Sequence, residues 1–418
     1  MMTQNFPNRK ISGIKIRILL SLLIFVSISF VTINFINSPK QGDINDWIQW
    51  IQFTNDYGLK GGYLVSNDIY PPIASEFLYF SSIFSHDLTI GIKLSLFIFL
   101  IISSEIFYLW NKNLLLASSI MLVLGLNTIL GYIDIYIVPT FILSFRALNK
   151  KNYILFSVLY TITCLIEWQP IILLPFILIY FFNFNSFSEL KKYVLWRNLL
   201  KKIILPSICV FAVFSSIYHS EILKSLLRAT EDNLLSKQAL NLNWIFTYFL
   251  HLFFPHKFGP LINGYSSYFA TQDIRVMLLT KLAFGIFYFI ILYAFTKKTK
   301  TFKNLVLYSL TGYLTYFIFF TGVHENYLFP ASVLSLILLS ISWKYHLPAF
   351  SIILADNLNL FLFHWNDLAV LPFNRVTGVD ITVVFAFIYF VSFVFILLTL
   401  LNLLPVKINN LIRKSITG

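Results

Sequence analysis

The feature that most constrains this chain is where its charges sit. Long apolar runs alternate with short polar breaks, and the breaks alternate in sign. Basic residues gather at the start (Arg9, Lys10, Lys15, Arg17), over 146–151, 191–202 and 297–303, and near the end (Lys407, Arg413, Lys414). Acidic residues gather over 43–68 and at Asp134, Glu167, Glu231, Asp232, Glu325 and Asp367. Loops rich in Lys and Arg stay on the cytoplasmic side of a membrane. The pattern therefore predicts a polytopic membrane protein whose acidic chemistry faces the other side. Composition agrees, with 58% of residues hydrophobic and 12% charged, about half the charged share of a soluble domain. A net charge of +13 would ordinarily raise nucleic acid as a partner. Retained cytoplasmic loops account for it here, and no nucleic acid is expected.

The expected fold is all-α, a polytopic transmembrane helical bundle of about twelve spans, forming a single integral membrane domain over 1–418. Residues 1–37 supply a cytoplasmic tail and the first span. The apolar run there is longer than a signal-peptide core, and no small-residue cleavage site follows it. Spans are predicted over 14–37, 88–110, 114–130, 132–147, 152–167, 169–184, 202–218, 277–296, 303–322, 326–343, 348–365 and 379–404. With the N-terminus inside, the breaks at 111–113, 148–151, 185–201, 297–302, 344–347 and 405–418 are cytoplasmic and hold most basic residues. The breaks at 38–87, 131, 168, 219–276, 323–325 and 366–378 are extracytoplasmic and hold most acidic ones. Residues 38–87 and 219–276 are too long for turns, and long loops often bind or cover ligands. Within the second, the apolar stretch 244–255 is too short for a span and suits an interfacial or re-entrant helix. Cys164 and Cys209 lie in apolar runs without metal-site spacing, and no structural disulfide is expected.

Short motifs on the outer face carry the chemistry. Asp43 and Asp46 follow the first span, with Trp47 and Trp50 beside them. Three residues apart on a helix, the two carboxylates would share a face. Either could take a proton from a hydroxyl, or cap an interfacial helix anchored by the tryptophans. Asp68 precedes Tyr70-Pro71-Pro72, where the prolines set a sharp loop-to-helix turn, and Asp68 could face the same cavity as Asp43. The breaks around Asp134 and around Glu167-Trp168-Gln169-Pro170 each put a carboxylate at a helix end. Such groups usually face a cavity or a partner, although Glu167 equally suits a helix stop. His324-Glu325 opens a further apolar run. The imidazole could donate to a phosphate or sugar oxygen with Glu325 orienting it, or the pair could be a capping cluster. No second His follows at zinc-motif spacing.

In order and spacing, these motifs resemble the GT-C superfamily of polytopic glycosyltransferases, and most closely bacterial relatives of the second GPI mannosyltransferase. The resemblance rests on Asp43-Ile44 with Trp50, Tyr70-Pro71-Pro72, Gly131 with Asp134, Gln169 with Pro175, and His324-Glu325 with 327–330. It runs from about residue 40 to 330. The chain departs from the family pattern at Ile69, which is inserted, at Tyr132, at Glu167-Trp168 in place of Lys-Pro, and at Asn326 in place of Arg. Two cations of the pattern are therefore missing.

The resemblance implies transfer of mannose or a similar hexose from a polyprenyl-phosphate donor to a glycan, lipid or protein acceptor. The reaction would run on the extracytoplasmic face of the bilayer, expected to be a bacterial inner membrane. It implies Asp43 as general base and no metal or other cofactor. Asp46, Asp68 and Asp134 are the candidates for orienting sugar hydroxyls, and Tyr70, Gln169 and Glu325 are further substrate-binding candidates. His256, Lys257, Arg275 and His324 are the candidates for the phosphate. Two other classes stand beside it. An O-antigen-type polysaccharide polymerase or ligase would lean on outer-loop arginines, of which Arg228 and Arg275 stand out. A lipid-linked sugar flippase or transporter would place ionisable groups near the midplane and show repeats. Glu105 and Asp356 are the intramembrane acids, and no repeat is evident.

Overall fold

The computed structural model describes residues 18–30, 43–66, 69–183, 193–230, 234–262, 264–266, 274–364, 378 and 380–401. Among them every regular element is helical. In chain order these are α1 (Ile18–Phe30), α2 (Asp43–Ser66), α3 (Pro72–Ser81), α4 (Leu88–Asn111), α5 (Leu114–Leu130), α6 (Val138–Asn149), α7 (Tyr153–Ile166), α8 (Leu174–Phe182), α9 (Tyr193–Leu199), α10 (Leu205–Tyr218), α11 (Glu221–Thr230) and α12 (Leu242–Phe253). There follow α13 (Pro255–Phe258), α14 (Ile274–Thr296), α15 (Phe302–Phe319), α16 (Phe329–Ile341), α17 (His346–His364) and α18 (Ile381–Leu400). The long segments 38–87 and 219–276 are thus largely helical where they are described.

Five helices are long and apolar enough to cross a membrane: Leu88–Asn111, Trp196–Tyr218, Arg275–Thr296, Trp343–Phe363 and Ile381–Leu400. Only 6% of the apolar window in Trp196–Tyr218 and 11% of that in Arg275–Thr296 is buried within the protein. Leu205, Ile208, Val213, Leu279, Leu282 and Phe289 are all exposed. Apolar surface of this extent marks a membrane-embedded or partner-covered face in a folded protein, and helix length selects the membrane. Cys164 and Cys209 are both free thiols.

Local sequence explains the helix ends. Asp87 accepts from the backbone N–H of Thr89 at 2.9 Å and so caps α4, the expected work of an Asp at that position. Asn113 caps α5 through the Leu116 N–H, and Gly131 ends it at φ 88, a conformation glycine takes without penalty. Asp380 caps α18 through both the backbone and the hydroxyl of Thr382.

The chain divides into two compact units, Met1–Trp168 with Leu199–Leu227, and Gln169–Asn198 with Arg228–Gly418. In the first, the Tyr136 ring packs on Phe77 of α3 and Phe99 of α4 at 5.3 and 4.8 Å, and its hydroxyl meets Ser95 at 2.5 Å. Ser157 of α7 donates to the Ile203 carbonyl at 2.6 Å. In the second, α15 is central. Asn241 and Asn243, at the start of α12, donate to the carbonyls of Phe317 and Phe319 at its end, each at 3.1 Å. Gly312 lies so close to the Phe176 ring that no Cβ would fit there.

Candidate functional site

The three breaks singled out by their polar residues share one construction. Gly131-Tyr132 leads into a 3-10 turn, Ile133–Ile137, and then α6 with Pro139 as its second residue. Glu167-Trp168 leads into Gln169–Leu173 and then α8 with Pro175 second. His324 leads into Glu325–Leu328 and then α16 with Pro330 second. Proline suits the first turn of a helix because its missing N–H has no partner to lose there. Tighter 3-10 turns are common at such starts. The first or second residue of each turn is a buried polar side chain: Asp134 (2% exposed), Gln169 (5%) and Glu325 (6%). Groups so placed must be satisfied by a partner or a ligand.

In the first unit, Asp43 and Asp46 lie in the first turn of α2, where the helix dipole favours negative charge. They do not share an environment: Asp43 is half-buried and Asp46 exposed. Trp47 is buried at 3% exposure rather than serving as an interface anchor. Its ring stands edge-on to Trp50 and Tyr70 at 4.7 and 5.4 Å, and its indole N–H finds no acceptor among the described residues. Tyr70 is held by its carbonyl, which accepts from the Tyr63 hydroxyl at 2.9 Å. Ile44 is fully buried and presses on Gly131, where an added Cβ would come within 2.6 Å of its Cδ1. That contact sets the residue after Asp43 against the break that carries Asp134. Glu167 turns back to accept the N–H of Trp168 at 3.0 Å, as a helix stop would. Asp68 lies outside the described residues.

In the second unit, the Tyr313 hydroxyl reaches Gln169 Oε1 at 2.5 Å and the Tyr327 carbonyl at 2.8 Å. The amide Nε2 of Gln169 is buried with no acceptor among the described residues. His324 Nδ1 and Glu325 Oε2 are 3.8 Å apart, and the His324 ring lies 5.1 Å from that of Tyr327. The turn is held from two sides. Lys237 N–H donates to the Val323 carbonyl at 3.1 Å. Asn359 on α17 donates to the Glu325 carbonyl and accepts from Leu240 N–H at 2.8 Å. A half-exposed imidazole beside a carboxylate can bind a polyol.

The remaining cation candidates sit in the same unit. His256 and Lys257 are exposed on α13, with the Lys257 ammonium 4.9 Å from the Phe258 ring. Arg275 borders an open groove of about 320 Å³ between α12 and α14, lined otherwise by Phe246, Phe249, Leu250, Phe253, Phe254, Val276 and Leu279. Its lining is almost wholly apolar.

Sequence reasoning passed over Lys93. It is 1% exposed on α4, which meets the Asp134 turn through Ser95 and Tyr136. It is engaged in an interaction rather than free, as a buried ammonium must be. Its signal was a lone cation five residues inside the first long apolar run after the acidic segment. Also unread was Glu76, which accepts from the Tyr218 hydroxyl at 2.6 Å. No protein-family model matches the chain, and no curated protein does either.

Proposed function

We propose that the chain is a membrane glycosyltransferase that moves a hexose, mannose or a close relative, from polyprenyl phosphate to an acceptor hydroxyl on the extracytoplasmic face. In this reading it has about twelve spans in a GT-C-like arrangement and resides in a bacterial inner membrane. The observation that carries it is the shared build of the three breaks. In motif order, each folds as a polar break, a 3-10 turn and a proline-led apolar helix, with Asp134, Gln169 or Glu325 buried at its opening.

Asp43 accepts the proton as the acceptor oxygen bonds to the anomeric carbon. The bond from that carbon to the phosphate oxygen breaks, and its electron pair leaves on polyprenyl phosphate. Hydrogen-bond donors and cations aimed at the developing phosphate charge lower the barrier. His324, His256, Lys257 and Arg275 are the candidates for that part. Asp46, Asp68, Tyr70, Asp134, Gln169 and Glu325 hold sugar hydroxyls. The apolar groove beside Arg275 accommodates the lipid chain.

Purified chain in liposomes loaded with polyprenyl-phosphate hexoses tests the reading. Release of polyprenyl phosphate coupled to sugar on an added acceptor is expected. Failure to turn over any hexose donor of this class overturns it.

A further inference from the structure

We propose that the second unit holds a sodium-sized monovalent cation between α16, α17 and α18, on the Asp356 carboxylate and the hydroxyls of Ser332, Ser335 and Tyr389. This goes beyond sugar transfer and does not depend on it.

Asp356 is 1% exposed, seven residues from the Phe363 end of a membrane-length helix, or about 10 Å along its axis. Ser332 donates to its Oδ2 at 2.5 Å. Its Oδ1 has no hydrogen-bond partner among the described residues. Ser335, one turn further along α16, and Tyr389 on α18 are also buried, and neither hydroxyl has a partner there. The register of α17 and α18 brings them level. Leu358, Leu362, Phe363, Phe385 and Ala386 share one apolar cluster, and the next turn inward reaches Asp356 on α17 and Tyr389 on α18. Tyr389 lies within electrostatic reach of Asp356.

A carboxylate in a span is costly unless compensated. Here a carboxylate oxygen and two hydroxyls on the three neighbouring helices are all buried, and none has a hydrogen-bond partner among the described residues. A small cation gives the open carboxylate oxygen a partner, and each hydroxyl has a lone pair to offer it. One negative charge with neutral oxygens suits a monovalent ion, whereas a divalent one usually gathers more carboxylate.

The test is thermal unfolding of the full chain in nanodiscs as sodium replaces choline at constant ionic strength. A ligand that binds only the folded state raises the midpoint with its concentration. The wild type is expected to show that rise and Asp356→Asn to lose it. Tyr389→Phe and Ser335→Ala, each lacking one hydroxyl oxygen, should need about tenfold more sodium. Equal wild-type midpoints in sodium and choline would overturn the proposal, and a proton or water at Asp356 gives that result. So would a rise that survives in Asp356→Asn, or unchanged sodium dependence in both hydroxyl variants. If Asp356→Asn does not fold, the hydroxyl variants decide.

Discussion

Gly131→Ala probes the contact that sets the start of α2 against the Asp134 break. Two costs act there. Gly131 has φ 88, and an L residue in left-handed backbone costs about 1–2 kcal/mol. The new Cβ would stand 2.6 Å from Ile44 Cδ1 and 3.0 Å from its Cγ1, against an ordinary carbon contact of about 3.5–4.0 Å. Ile44 is fully buried and has little room to turn aside, so overpacking adds roughly 1–3 kcal/mol. The single change should therefore destabilise by about 2–5 kcal/mol. Ile44→Val deletes the nearest atom and alone costs about 0.5–1.5 kcal/mol. In the double variant part of the clash disappears, so its cost should fall short of the sum by about 1 kcal/mol. Denaturant unfolding of the full chain in detergent micelles measures all four corners of the cycle. Additivity within about 0.5 kcal/mol would refute the claim that these side chains press on each other.

Other expectations follow from single contacts. Tyr313→Phe removes the hydroxyl shared by Gln169 and the Tyr327 carbonyl and should cost about 1–3 kcal/mol in the same unfolding assay. Asn359→Ala orphans the Leu240 N–H and the Glu325 carbonyl together. Its cost should be about 2–5 kcal/mol, and a variant as stable as wild type would show that neither bond matters. Asp46 is exposed. In a background without Cys164 and Cys209, Asp46→Cys should react with an impermeant maleimide from outside intact cells. Labelling from the cytoplasmic side alone would reverse the expected topology.

Much of the helical framework was legible because charge and capping residues punctuate it. The segment read as 114–130 is α5 to the residue, bounded by the Asn113 cap and the left-handed Gly131. The segment read as 88–110 differs from α4 by one residue, set by the Asp87 cap. The 3-10 turns were not legible. Residues 133–137 and 169–173 read as span starts, 325–328 straddles the break and the span read from 326, and hydropathy does not separate 3-10 from α-helix. Pro139, Pro175 and Pro330 were the available cue. The segment 38–87 read as loop because α2 is rich in polar residues and kinks at Gly58, where φ is 72.

At the candidate site, residue types were legible and surroundings were not. A spacing of three residues leaves Asp43 and Asp46 about 60° apart around the helix axis. That is enough for one to be half-buried and the other exposed. Trp47 read as an anchor because tryptophan favours interfaces, whereas packing against Tyr70 buries it. Lys93 was hidden by its run, since one cation barely changes the mean hydropathy of a span.

The most direct test of the proposed function is sugar transfer by Asp43→Asn, measured per folded molecule beside wild type in the same liposomes. The change is nearly isosteric and removes the negative charge together with the capacity to accept a proton. As the general base, Asp43 should be worth about 10²–10⁴-fold in turnover, with folding little altered. If Asp43 only caps α2, the variant loses roughly 0.5–2 kcal/mol of stability at most and transfers sugar at the wild-type rate. A loss of turnover in that range is the expected result. Wild-type specific activity would contradict the assignment of Asp43 as the base.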